Sequence, residues 1–255
     1  MAANNKTPAN DENRLRCHLQ ELKLSSFLEQ YNPAAEQAAK ENWTYPHYLS
    51  ELAQAEVNLR HDRLIARRIA MARFPVKKSL DGFDWNWPKK INRAQVQDLF
   101  RLGFLENKAN IIFLGGVGLG KTHLSTALGY HACLKGHSVL FSSAIDIVNT
   151  LSAAQNASRL KFDMKKYLKP DILLVDELGY LPVDRKGADL LFQVISKRYE
   201  RGSIILTTNK QFKKWPEIFC NDATLTSAVL DRLLHHAETV LIEGPSYRMK
   251  DKVEE

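Results

Sequence analysis

Apolar residues recur at two different periods along this chain, and the change of period divides it. From about Asn13 to Tyr31, Leu15, Leu19, Leu22, Leu24, Phe27 and Leu28 return mostly at helical spacing. Asn32-Pro33 is expected to end that helix, because proline has no N–H to donate and disfavours the helical region in the residue before it. Helical stretches follow from about Ala34 to Lys40 and, past the turn-like Trp43-Thr44-Tyr45-Pro46, from His47 to Arg73. Phe74-Pro75 closes this part, and Val76 to Lys90 is rich in turn formers and tryptophan. After a helix from Ala94 to Leu102 the texture changes. Short β-branched runs at Ile111–Leu114, Val139–Ser142, Ile172–Asp176, Ile204–Thr207 and Val240–Ile242 alternate with helical segments. Strands spaced by helical crossovers predict a parallel sheet covered on both faces. The expected organisation is a disordered tail over 1–12, a small all-helical domain over 13–75, a linker over 76–92 and an α/β domain over 93–255.

Composition sharpens this only in part. The chain has 255 residues, long enough for one α/β domain and a smaller appendage. No run approaches the roughly 18 apolar residues of a membrane span, and the polar N-terminus lacks a signal-peptide core, so a cytoplasmic protein without a membrane partner is expected. Cys17, Cys133 and Cys220 are scattered, with no C-x-x-C pair, which argues against a disulfide framework or a zinc site. His235 and His236 are adjacent, hence expected on different faces of a helix and a poor metal pair. His131, Cys133 and His137 read as structural. The formal charge of +7 favours polyanionic partners, nucleic acid first among them. Arg60, Arg63 and Arg67 share one helical face, and Arg159, Lys161, Lys165 and Lys166 crowd a second helix. Each cluster reads either as a solvated face or as a set of phosphate contacts.

The class is decided by Gly115-Gly116-Val117-Gly118-Leu119-Gly120-Lys121-Thr122, which follows the apolar strand Ile111–Leu114 and opens the helix beginning at His123. This is G-x-x-x-x-G-K-T in the strand–loop–helix context it requires. Glycines let backbone N–H groups curl toward phosphate, the helix N-terminus adds positive potential, Lys121 reaches the β- and γ-phosphates, and Thr122 is placed to ligate Mg²⁺. ATP and Mg²⁺ are therefore the expected cofactors. Further on, Ile172-Leu173-Leu174-Val175 delivers Asp176 and Glu177 to the end of a central strand, where ligands sit in open α/β sheets. Asp176 suits a hold on Mg²⁺, and Glu177 suits polarisation of an attacking water. Such a glutamate favours hydrolysis over transfer to a small acceptor, and argues against a P-loop kinase or a non-hydrolysing adaptor. Asn209 ends the strand Ser203–Thr208; alone it reads as a turn residue, in this company as one that orients the water.

GKTHL, DILLVDELGYLP, ILTTN, AVLDRLLHHA and GPSYR, in this order, resemble the IstB-like family of the AAA+ ATPases. These are ATP-binding helper proteins of insertion-sequence transposition, related to the DnaC helicase loaders. The resemblance runs from about Leu15 to Lys250. It implies that Asn209 is the sensor-1 residue, that Arg232 is an arginine finger offered to a neighbouring subunit's ATP, and that Arg248 senses nucleotide. From the residues alone Arg232 is an ordinary arginine of an amphipathic helix, Leu225 to His236. The chain ends soon after Arg248, so no C-terminal helical lid is expected. The resemblance further implies an ATP-dependent homo-oligomer on duplex DNA that remodels its target and recruits or stimulates a cognate transposase. A DnaC-like helicase loader is the alternative. It also places Phe83 or Trp85 near the adenine and makes the 159–166 lysines and arginine candidates for DNA contacts.

Overall fold

In the computed structural model, which describes residues 8–180 and 183–252, the five apolar runs form one wholly parallel sheet. The strands are β1 (Asn110–Gly115), β2 (Val139–Ser143), β3 (Ile172–Leu178), β4 (Ser203–Thr208) and β5 (Ala237–Ile242). Their spatial order is β2-β3-β4-β1-β5. Each expected strand is present, longer by one to three residues. Alternation along a strand sends successive side chains to opposite faces. Ile111 and Phe113 thus join a core with α4 (Arg93–Leu99) and α5 (Lys121–Leu134), while Ile112 joins another with α6 (Ala144–Asn156), α7 (Leu160–Leu168), α8 (Arg185–Arg198) and α9 (Ala223–Leu234). Burial on both faces is why the inner strands β1, β3 and β4 read as nearly unbroken apolar runs.

Register aligns the strand tips. Leu114 pairs with Thr208, and Thr208 with Leu178, so the segments after β1, near the end of β3 and after β4 emerge along one edge. At the opposite edge polar side chains stitch the strand starts. Asn110 Nδ2 donates to the Leu233 carbonyl at 3.0 Å, and its Oδ1 accepts from the Ile204 N–H at 2.9 Å. Buried Arg198 donates to the carbonyls of Tyr167, Pro170, Asp171 and Ser203 at 2.8–2.9 Å. Burial pulls its guanidinium down to about 10, with carbonyl dipoles rather than a carboxylate hydrogen-bonded to the charge.

The chain divides into two compact units, residues 1–66 and 67–255. In the first, α1 (Pro8–Glu21), α2 (Ser25–Glu41) and the start of the helix Tyr45–Ala72 (α3) enclose Leu19, Tyr31 and Leu52. Helix α1 begins at Pro8, inside the span expected to be disordered; a proline is well suited to a first helical position. The rest of that span, residues 1–7, lies outside the described residues.

The expected break at Asn32-Pro33 is absent: α2 runs through Pro33. The chain turns earlier, around Lys23, which has φ +55°. A mid-helix proline costs roughly 3 kcal/mol. Phe27, Leu28 and Tyr31 before it and Ala34 after it all pack on this core, and the Tyr31 carbonyl accepts the Tyr48 hydroxyl at 2.9 Å. Tertiary packing outweighs the local preference here. Among the described residues no helix is long and apolar enough to cross a membrane.

Candidate nucleotide site

The aligned strand tips border a cleft of about 690 Å³. Residues 117–123 of the glycine loop line it, together with Glu177, Asn209 and Arg248. Four segments separated by dozens of residues are thus brought to one place. Gly115 is the last residue of β1, and Gly116 follows it. Two glycines in the loop are there by steric necessity. Gly118 has φ +74°, and a Cβ on it would lie 2.0 Å from Ser246 Oγ. Gly120 has φ +83°, and a Cβ would meet the Phe83 ring at 2.6 Å. The Tyr247 N–H donates to the Gly118 carbonyl at 2.9 Å, tying the segment after β5 to the loop.

Lys121 opens α5, and its Nζ donates to the Gly116 carbonyl at 2.5 Å. Burial draws its ammonium below the ordinary lysine range, Asp176 and Glu177 oppose that, and Arg248 adds to it. Thr122 Oγ1 lies 3.0 and 3.2 Å from the two carboxylate oxygens of Asp176. Hydroxyl and carboxylate form an oxygen-only donor set of the kind a hard divalent cation takes. His123 Nε2 lies 2.8 Å from the Ser79 carbonyl and its ring meets Phe83 edge-on; burial lowers its pKa.

Asp176 is buried and Glu177 exposed, although they are adjacent. The cause is a β-bulge. Val175 pairs with Leu206 and Leu178 with Thr208, so β3 carries one residue more than β4 across this interval. Glu177 takes up the excess with φ +59°, a conformation uncommon for a residue with a Cβ. Thr207 holds the bulge. Its hydroxyl donates to Asp176 Oδ1 at 2.6 Å and accepts the Glu177 N–H at 2.9 Å. Sequence reading passes over Thr207, since a threonine in a β-branched strand looks like strand propensity alone; only the register shift gives it this place.

Other expected residues are distributed unequally. Phe83 lines the cleft, whereas Trp85 does not, packing instead on Phe83 and under the Arg93 guanidinium; of the two adenine candidates, only Phe83 has access. Trp87 and Tyr247 also line the cleft, in edge-to-face contact. Arg232 does not reach it. Its Nη1 donates to the Ala228 carbonyl at 2.9 Å, its guanidinium lies over the Phe192 ring, and its surroundings include Asn110, Ile204 and His236 at the opposite sheet edge.

Within the first unit Arg60 pairs with Glu56 at 2.8 Å and donates to the Lys23 carbonyl, and Arg63 donates to Ser25 Oγ, so both serve internal contacts. Arg67 is exposed. On α7, Arg159 pairs with Asp163 at 3.7 Å and Lys166 lies over the Tyr167 ring, while Lys161 and Lys165 are exposed. Met164 and Tyr167 bury the other face of that helix. Leu181 and Pro182, at the end of the DILLVDELGYLP stretch, and residues 253–255 lie outside the described residues.

This arrangement agrees with the comparisons to known proteins. The family described as IstB-like ATP binding protein matches residues 17–255. A protein of insertion sequence IS232 from Bacillus thuringiensis subsp. berliner, named for ATP binding, is 40% identical over 242 residues, 95% of this chain and 96% of its own. Its counterpart from IS21 of Pseudomonas aeruginosa is 42% identical over 234 residues, 92% of this chain and 88% of its own. Among solved structures, a DNA replication initiation factor matches with TM-score 0.53 at 25% identity, over 70% of this chain and 53% of that one. The DnaC helicase loader matches with TM-score 0.52 at 22% identity, over 65% of this chain and 96% of that one, a likeness of fold. With a P-loop at the tip of β1, a five-stranded parallel sheet and relatives matched over nearly their whole length, the chain belongs to the family of IstB-like ATP-binding proteins of the AAA+ type.

Proposed function

We propose that this protein is a Mg²⁺-dependent AAA+ ATPase that assembles on duplex DNA with ATP bound and assists transposition by remodelling target DNA and recruiting or stimulating a transposase. The observation that carries the reading is the meeting of Lys121, Glu177, Asn209 and Arg248 on one cleft while Arg232 stands at the far edge of the sheet. The loop amides and Lys121 bind the phosphates. Thr122 and Asp176 would hold Mg²⁺, which when bound would supply charge neutralisation on the phosphate oxygens. Glu177 accepts the proton of the attacking water, and Asn209 orients that water. Arg248 lines the same cleft and would sense the nucleotide there.

An arginine finger neutralises charge that builds on the transferring phosphoryl group. Arg232 does not line its own chain's cleft, so the ATP it serves belongs to another copy. A monomer is then a poor ATPase, and assembly switches hydrolysis on. The insertion-sequence relatives, at about 40% identity over nearly full length, favour transposition over the helicase-loader alternative, whose structural neighbour supports the fold alone. Measuring ATPase rate and particle size with and without duplex DNA tests the reading. Joint rise of both on adding DNA and ATP is expected; turnover indifferent to DNA at a constant monomer mass would overturn it.

Two further outcomes follow. Thr207→Val keeps the side-chain shape but removes the acceptor of the Glu177 N–H and leaves Asp176 Oδ1 with Thr122 alone. A lost buried hydrogen bond of this type costs about 1–3 kcal/mol, and turnover should fall roughly tenfold or more. Thr207→Ser restores the hydroxyl and should recover most of kcat, with KM for ATP little changed in either variant. A valine variant with wild-type kcat would remove Thr207 from this role.

Exposed Lys161 and Lys165 make α7 the better candidate for phosphate contacts than the internally bonded Arg60 and Arg63. Binding through phosphates is indifferent to base sequence and falls steeply with salt, with a slope near −0.9 per neutralised phosphate. Replacing Lys161, Lys165 and Lys166 by alanine should flatten the slope of log affinity against log salt by up to about 0.9 per lysine, with ATP affinity intact. An unchanged slope places the DNA surface elsewhere.

A further inference from the structure

At the sheet edge opposite the nucleotide cleft, a second set of side chains converges from two segments. Glu200 stands in the turn between α8 and β4, and His235 and His236 directly follow the last residue of α9. One ligand atom from each of the three lies within 4.8 Å of the others. Adjacent residues inside a helix diverge around its axis, and on that ground the pair reads from sequence as a poor metal site. The structure reverses that expectation. Helix α9 ends at Leu234, and beyond its last residue the two imidazoles lie with ring centroids 4.1 Å apart.

Two independent features point to a cation. The Tyr199 hydroxyl lies 2.8 Å from His235 Nδ1. In the tautomer where Nδ1–H donates to that hydroxyl, Nε2 carries the lone pair. An outer partner on one imidazole nitrogen is how ligating histidines are oriented. The pair also occupies the C-terminal end of α9, where unpaired carbonyls favour positive charge.

We propose that Glu200, His235 and His236 form a three-ligand site for a divalent transition metal ion, with Tyr199 as a positioning residue. Two imidazoles with one carboxylate suit Zn²⁺, Ni²⁺ or Cu²⁺; Mg²⁺ and Ca²⁺ prefer oxygen ligands throughout. Ligand-to-ion distances near 2.0–2.2 Å are reached by rotation of exposed side chains, and a fourth position stays open to water. The bound ion joins the end of the Arg232-bearing helix to the turn before β4, two segments that flank the small cleft lined by Tyr199 and Arg232. The site does not depend on nucleotide binding or on any role of Arg232.

Zn²⁺ titration of the full, untagged chain against a chromophoric chelator, without nucleotide, tests this. Exposed Cys17 and Cys220 can also take Zn²⁺, so the titration is repeated on C17S/C220S. One equivalent is expected in C17S/C220S, and at least one in the parent chain. In H235A/H236A on the same background that equivalent should weaken by about 100-fold or vanish, and Tyr199→Phe should weaken it by about 10-fold, the usual range for an outer partner being 10–100-fold. Equal stoichiometry and affinity in H235A/H236A would overturn the proposal, as would loss of all Zn²⁺ binding in C17S/C220S alone. If the double-histidine variant misfolds, Glu200→Ala decides by the same criterion.

Discussion

Glu177→Gln should bind ATP as the parent does and hydrolyse it about 10²- to 10⁴-fold more slowly, the usual contribution of a positioned general base. Glutamine keeps the length and shape of the side chain but cannot accept a proton. The bond that fixes position 177 to Thr207 runs through its backbone N–H, so the substitution leaves the bulge intact. The P-loop, Thr122 and Asp176 are untouched, and phosphate binding should survive. Any assembly formed with ATP on DNA should then persist, because the step that dissolves it is blocked. Phosphate release and ATP affinity measured on one preparation check this. Wild-type turnover would remove Glu177 as the residue that activates water.

Lys121→Ala should weaken ATP binding on the order of 100-fold, equivalent to about 2–3 kcal/mol for lost charge-assisted contacts to phosphate. Lys121 carries the single formal charge within residues 115–122, and its helical position accepts alanine without penalty to α5. Its Nζ already points along the loop toward the Gly116 carbonyl, so phosphate oxygens would exchange for that carbonyl with little rearrangement. Calorimetric titration with ATP and Mg²⁺ measures the loss, and an unchanged Kd would defeat the assignment of the loop. DNA-dependent assembly should disappear in this variant yet accumulate in Glu177→Gln. That opposition separates a failure to bind nucleotide from a failure to cleave it.

The glycine loop, the strand carrying Asp176 and Glu177, and the strand ending at Asn209 were all legible without coordinates. Each depends on a few consecutive residues: an apolar run whose two faces are both buried, then side chains at a strand end. The strand boundaries moved by no more than three residues, and by three only at the edge strand β5, where Leu241 is exposed; strands covered on both sides leave little freedom in where apolar runs begin and stop. The glycines of the loop are equally local, because Gly118 and Gly120, at φ +74° and +83°, lie in the left-handed region that glycine enters at no steric cost.

What tertiary structure decided is of another kind. That α2 continues through Pro33 follows from packing of Tyr31 and its neighbours, which no dipeptide rule contains. The separation of buried Asp176 from exposed Glu177 needs a one-residue shift between β3 and β4, and the hydroxyl that secures it comes from Thr207, thirty residues away. Arg232 lies at the edge of the sheet away from the cleft because α9 runs back before β5, a matter of topology rather than spacing. His235 and His236 meet only because α9 stops one residue before them. Sequence patterns specify what each segment requires of its own backbone; contacts between segments depend on strand register and helix ends, which are set by the competition of all cores at once.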